Sequence, residues 1–201
     1  MFPELAKGIP ELDITPYEPL YLKRVSVSKG AGAVTLSGSL YNMTVRGPSQ
    51  AIPTYSDMRL DENKFNFGID LPILDIDSLY NLVGKILVLP LVGNGPCKLN
   101  LKNVKTVIST DFEIIDVDGR QIMDVTNMKV NFKVGFMHIK LDHLFNGNKV
   151  LGQTVNNFLN HHGLEVIGEL SDSISESLAA IFLDLMNQIF SKLPLDLWLT
   201  D

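Results

Sequence analysis

Cysteine is nearly absent from this chain. Cys97 is the only one, so no internal disulfide can form, and with no histidine or cationic cluster near it in sequence it reads as a structural thiol. There is no basic excess: 17 lysines and arginines stand against 23 aspartates and glutamates, a net charge of -6 with a pI near 5.2. That balance argues against nucleic acid as a partner and against simple electrostatic attraction to anionic membranes. No run approaches the roughly 18 uninterrupted apolar residues that a membrane helix needs. Met1-Phe2-Pro3 opens without a basic segment, an apolar leader or a small-residue cleavage site, so nothing at this end directs export. Low-complexity stretches, short repeats and linkers are missing too, which favours one domain over residues 1–201. What is plentiful is apolar side chain, 45% of residues with a mean hydropathy of +0.15. That excess belongs indoors.

The chemistry-bearing residues do not converge. Gly47-Pro48-Ser49-Gln50-Ala51 lacks the second glycine and the following helix of a nucleophile elbow, and Gly30-Ala31-Gly32 lacks the third small residue of a dinucleotide loop. His161 and His162 are adjacent, and helical neighbours point apart rather than onto one metal. His138 alternates with Lys140 on a polar face, Asp116 and Asp118 do not continue into a calcium loop, and Asp172 with Glu176 reads as a solvated face. No enzyme, metal or cofactor is expected. The one glycosylation sequon, Asn42-Met43-Thr44, gives weak support for secretion.

Periodicity describes a β-rich chain ending in helix. Prolines at 3, 10, 16 and 19 bracket a short helix-capable piece, Glu4 to Lys7, closed by Gly8. Residues Tyr21 to Arg46 read as a hairpin turning at Lys29-Gly30-Ala31-Gly32, with Gly38 marking a bend or close backbone approach. From Lys64 to Leu74, Phe65, Phe67, Ile69, Leu71 and Ile73 share one face. Leu82 to Val92 is apolar on both faces and should be covered on both, with a hairpin at Gly93-Asn94-Gly95. The outward set Lys98, Asn100, Lys102 slips by one residue to Lys105, Ser109, Asp111, Glu113. A β-bulge is therefore predicted near Asn103 and Val104, with Leu99, Leu101, Val104, Ile108, Phe112 and Ile114 inward. Asp118-Gly119 is the next hairpin, followed by strands through Met128–Val134 and Met137–Leu141.

A helical piece is predicted over Val150 to Leu159, with Gly163 separating it from a second helix or kinking the two within one. Leu164 to Leu193 then runs for thirty residues without proline. Its first half is amphipathic, with Glu165, Glu169, Asp172 and Glu176 on one side. Its second half, Leu178 to Phe190, is apolar nearly all round and should be enclosed. The predicted class is α+β, a long C-terminal helix wrapped by a highly curved antiparallel sheet. Periodicity does not distinguish a filled core from a hollow one, and on pattern alone a filled core is the commoner outcome.

Several stretches in order resemble the takeout and juvenile-hormone-binding proteins of insects. They are Ala6-Lys7-Gly8-Ile9-Pro10-Glu11-Leu12, Leu99-Asn100-Leu101-Lys102-Asn103-Val104, and His143-Leu144-Phe145-Asn146-Gly147 with Leu151-Gly152. Asn156-Asn157-Phe158-Leu159-Asn160 and Ile189-Phe190-Ser191-Lys192-Leu193-Pro194 complete the set. The resemblance implies a sheet rolled about the helix (a super-roll), an elongated hydrophobic tunnel, and a secreted, non-enzymatic carrier of a sesquiterpenoid, fatty acid or related lipid. A membrane-engaging lipid-transfer module is the alternative, and a monomer without obligate membrane association is expected. Relatives usually begin with a leader and a paired-cysteine segment. Neither precedes Ala6 here, so a cytoplasmic truncated form is the alternative location, and the tunnel end near residues 1–20 is expected to be more open. Expected wall residues are Phe65, Phe67, Ile69, Leu71, Phe112, Phe132, Met137, Phe182, Met186 and Phe190. Trp198 either closes the mouth or caps the core, and Tyr41, Tyr55, Thr106 and Thr110 are candidate polar anchors.

Overall fold

The computed structural model describes residues 6–8 and 16–197. Six strands form one antiparallel sheet: β1 Leu20–Lys29, β2 Val34–Arg46, β3 Ile52–Arg59, β4 Lys64–Ile86, β5 Leu89–Val117 and β6 Arg120–Leu141. The order is β1-β2-β4-β5-β6, and β4 pairs β2 along its second half and β3 along its first. Two helices follow, α1 Lys149–Glu169 and α2 Ser171–Phe190. β5 alone is 29 residues long, and strands of that length curl through their natural twist.

The curl has identifiable bends. Inward side chains of β4 run Phe65, Phe67, Ile69, Leu71 and then switch to Leu74 and Ile76. On β5 they run Leu99, Leu101 and then Val104, Thr106, Ile108; on β6, Val130, Phe132, Val134 and then Met137, Ile139, Leu141. The switch falls at Pro72, Asn103 and Gly135, which stand opposite one another in register. Pro72 has no N–H to give the ladder, Asn103 takes a left-handed φ of 53°, and a Cβ on Gly135 would lie 2.9 Å from that of Asn103. The slip predicted at Asn103 is therefore present as a change of face. The pairing runs through it without a shift, because all three strands turn over together; the β5–β6 register shift lies at Asp111/Phe112 instead. A second bend crosses β1 at Lys23–Arg24 and β2 at Tyr41–Asn42, where Asn42 has φ 50° and the β2–β4 register shifts.

Four sequence expectations are corrected. Gly93-Asn94-Gly95 is not a turn but part of β5, and the chain reverses at Leu87–Val88. Those glycines serve close packing: a Cβ on Gly93 would lie 2.7 Å from the Tyr80 hydroxyl, which donates to the Asp142 carbonyl at 2.7 Å. The run through Val92 is covered on one face only, leaving Val83, Leu87, Val88 and Val92 exposed. Ile73 and Ile114 are also exposed, the first displaced by the switch at Pro72 and the second following the register shift after Asp111. Gly163 lies inside α1, where a Cβ would meet Met137 Cε at 2.5 Å, so it admits Met137 rather than breaking the helix; the break is at Leu170.

The last helix is also less enclosed than its composition suggests. None of α2 is fully buried, and Asp172, Glu176, Ala180, Asp184 and Gln188 form an exposed stripe at four-residue spacing. The small Ala180 is what made this face look apolar. Each flank of the stripe is bonded to a sheet edge. The Asn187 side chain accepts from Val125 N–H at 2.8 Å and donates to the Val125 carbonyl at 2.9 Å. Asn160 does the same for Ile139, and Asn156 for Leu141. On the other side the Ser26 and Ser28 N–H groups donate to Ser177 Oγ and Ser173 Oγ at 3.1 and 3.2 Å, and Lys29 pairs with Glu169. The helices take the place of a missing strand between β6 and β1, and the sheet edges there are covered.

Candidate functional site

Three apolar clusters line the roll from end to end. One gathers Tyr80, Leu91, Cys97, Leu141 and Leu144 under α1. The opposite end packs Ile108, Phe112, Met123, Val125 and Val130 against Phe182, Met186 and Phe190 of α2. Between them Leu22, Val25, Met43, Val45, Leu74, Ile76, Leu101 and Val104 line the sheet, and here the interior is not filled. A cavity of about 300 Å³ lies against that wall, closed on the helix side by Ile167 of α1 and by Ile174, Leu178 and Phe182 of α2. The three α2 residues repeat every four positions, so one narrow stripe of that helix faces the space.

Its lining is almost wholly hydrocarbon. Among the described residues, Tyr17 and Thr106 bring the only side-chain oxygens and no charged residue contributes. Tyr17, Leu20, Pro48 and Ala51 form one rim. That rim is held by Glu18, whose carboxylate accepts from the Gly47 N–H at 3.0 Å and the Ser49 N–H at 3.0 Å. Burial pushes the Glu18 carboxyl upward, but the Ser49 and Gly47 donors and the nearby Arg46 outweigh it and leave the group below its ordinary value. Burial, with the Glu18 charge beside it, pushes the Tyr17 hydroxyl up, so it is a neutral phenol at physiological pH. Gly47-Pro48-Ser49 is thus a 3-10 turn at the rim; a Cβ on Gly47, at φ 107°, would lie 2.2 Å from the Ile73 carbonyl oxygen.

The expected wall residues divide between the space and the packed ends. Ile69, Leu71, Phe132 and Phe182 line the cavity. Phe65 and Phe67 stack at 5.0 Å between ring centroids and belong, with Phe112, Met186 and Phe190, to the cluster at one end. Met137 packs against Gly163 beside the central cluster, and Trp198 lies outside the described residues. Of the candidate anchors, Tyr55 is exposed, Tyr41 lies on the outward side at the bend, and Thr110 donates to the Phe65 carbonyl at 2.7 Å. Thr106 remains at the wall. Sequence reasoning missed the β1–β2 part of the lining, Leu22, Val25, Leu40, Met43 and Val45. Their signal, Val25 alternating with serines, was present but had no bulky aromatic to draw notice.

Among the described residues no group of histidine, cysteine, aspartate or glutamate could hold a metal ion, and no helix is long and apolar enough to cross a membrane. Comparison with known proteins places this geometry. The model of the haemolymph juvenile hormone binding protein (JHBP) family matches residues 1–200. The circadian clock-controlled protein daywake of Drosophila melanogaster is 25% identical over 203 residues, covering 97% of this chain and 78% of the relative. Its Drosophila yakuba counterpart is 24% identical over the same coverage. Among solved structures, Takeout 1 of Epiphyas postvittana superposes with a TM-score of 0.83 at 24% identity, covering 96% of this chain and 88% of that one, and so shares the fold.

Proposed function

The chain belongs to the haemolymph juvenile hormone binding protein family, and on that premise we propose that it is a non-enzymatic extracellular carrier that holds an elongated apolar small molecule in the cavity beneath α2. The observation that carries this reading is a space of about 300 Å³ whose wall, among the described residues, is hydrocarbon almost everywhere and carries no charged side chain. Such a wall can exclude water, and apolar ligand surface leaving water gains about 25 cal/mol per Å². The volume is at the small end of ligand sites, which run from roughly 300 to 1,000 Å³. A ligand of about 20 heavy atoms at roughly 0.3 kcal/mol per atom gains about 6 kcal/mol, a dissociation constant of tens of micromolar. Tighter binding needs fuller burial and a polar anchor, for which Thr106 is the side chain in place; a sesquiterpenoid of the juvenile hormone type or a fatty-acid derivative fits those terms.

Organic extraction of the purified protein followed by native mass spectrometry tests the reading. Substoichiometric apolar ligand, or saturable 1:1 uptake of a hydrophobic probe lost in Leu178→Trp, is the expected outcome. No uptake by a folded chain would overturn it.

One observation favours a second reading, a module that engages membranes to transfer lipid. The β4–β5 hairpin ends in Leu87 and Val88, 51% and 90% exposed, with Val83 and Val92 exposed behind them. Co-sedimentation with neutral liposomes, lost in Val88→Ser, would favour transfer over simple carriage.

A further inference from the structure

We propose that Asn42 carries an N-linked glycan; the proposal rests on the extracellular reading above. Asn42-Met43-Thr44 is the single Asn-x-Ser/Thr triplet of the sequence, and neither Met43 nor Val45 is a proline that would block its use.

The structure separates the three residues in a way the triplet alone does not. Asn42 stands at the second bend, where the β4 register shifts between the Tyr41↔Leu79 and Thr44↔Asp77 pairings and leaves it without a partner there, while on the other side it stands opposite Lys23 of β1. Its φ of 50° and its exposure turn it out on the convex side, while Met43, 5% exposed, points the other way and lines the cavity. An asparagine suits a left-handed position for backbone reasons alone, and that would explain the residue without the sugar. It would not explain a hydroxyl-bearing threonine two residues on, nor the surroundings. Among the described residues the Asn42 side chain makes no hydrogen bond or ion pair, so its amide nitrogen is free to be the acceptor. Directly across from Thr44 stands Tyr21, 71% exposed, an apolar ring on the same outer surface. A first sugar on Asn42 would lie beside that ring and screen it from water. Since the cavity wall is the opposite face of β2, the sugar would leave the ligand site untouched.

The test is expression of the full chain behind a secretory leader in insect cells, with peptide mass spectrometry before and after amidase deglycosylation. The expected result is one glycan, removed by the enzyme with conversion of Asn42 to aspartate, retained in Thr44→Ser and lost in Thr44→Ala. Asn42→Gly, which keeps the left-handed backbone, should be secreted and unglycosylated. A secreted chain without sugar, or sugar that survives Thr44→Ala, would overturn the proposal. Because the leader forces entry to the secretory route, the result is independent of where the natural protein resides; that is read separately by immunodetection in haemolymph and cell fractions, where a wholly intracellular protein would sink the extracellular reading and not the chemistry of the site.

Discussion

Replacing Asn187 by leucine should show how much of the fold depends on the helix standing in for a strand. The Asn187 amide presents one acceptor and one donor to the backbone of Val125, at 2.8 and 2.9 Å, which is what a neighbouring strand residue would present. Leucine keeps the branched four-atom skeleton and removes both bonds. Each intramolecular hydrogen bond contributes about 1 kcal/mol net, and the two Val125 groups are partly shielded by α2, so a loss of about 2 kcal/mol is expected. For a chain of this length that corresponds to a Tm lower by about 4–8 °C. Asn187→Asp should cost at least as much, since a carboxylate cannot donate and would face the Val125 carbonyl. Asn157→Ala, at an exposed position on α1, is the control and should fall within about 0.5 kcal/mol of the parent. Urea unfolding with an unchanged m-value is the measurement, supported by faster exchange of the Val125 amide. If Asn187→Leu unfolds within about 0.5 kcal/mol of the parent, the edges of the roll are not held by these amides and the account of its closure is wrong.

Glu18→Gln should loosen the cavity rim. Because the Glu18 carboxyl lies below its ordinary value in the fold, its contribution is complete above that ordinary value and fades as pH falls through the folded one. The parent and variant stabilities should therefore converge on acidification; a constant gap from pH 7 to pH 3 would refute the assignment. Gly38→Ala should destabilise the chain severely or prevent folding, since at φ 147° the new Cβ would lie 2.0 Å from the Asn81 carbonyl oxygen, which is backbone and cannot move aside; near-parental thermal stability would contradict the β2–β4 approach. Burial pushes the Cys97 thiol up to about 11, so a thiol reagent at pH 8 should label it only after unfolding, and its linked stability should be lost as pH rises past the ordinary thiol value. Tyr80 is likewise pushed up to about 12, chiefly by burial, and should ionise last among the tyrosines in an alkaline absorbance titration.

The sheet was legible wherever one face met water and the other did not. Phe65 to Leu71 alternates cleanly, Leu99 to Phe112 and Val130 to Leu141 do so on either side of Asn103 and Gly135, and the slip at Asn103 could be read because lysines and aspartates marked the outer face on both sides of it. Its partners were not legible, since Pro72 and Gly135 only gain meaning once the register sets them beside Asn103. Gly93-Asn94-Gly95 misled for a related reason: glycine signals freedom from a side chain, and whether that freedom serves a turn or the approach of Tyr80 depends on a contact across strands. The asparagines of α1 were visible as a motif, but nothing local says that a polar residue on a helix is answering a strand edge. The cavity was least legible of all, because lining and core use the same side chains.

Why a space remains in the middle follows from how the roll closes. Asn187 on one flank of α2 and Ser173 and Ser177 on the other bind the two edges of the same sheet, so the distance across the helix side is set by backbone hydrogen bonds and not by the volume of the interior. The circumference is set in turn by five strands in order from β1 to β6 and by bends at fixed residues. Between the flanks, the residues of α2 that point into the space are Ile174, Leu178 and Phe182, one per turn. At the ends of the roll aromatic and large side chains, Tyr80 at one and Phe112, Met186 and Phe190 at the other, are long enough to meet their opposites. In the middle the sheet offers mostly valine, leucine, isoleucine and methionine, with Phe132 the exception, and these do not span the same gap. A solid core would have to shrink the roll and break the bonds at its seam, each about 1 kcal/mol, whereas an apolar guest fills the gap with the seam intact. The hollow is therefore a consequence of closure, and larger side chains at Leu178 should fill it without reopening the edges.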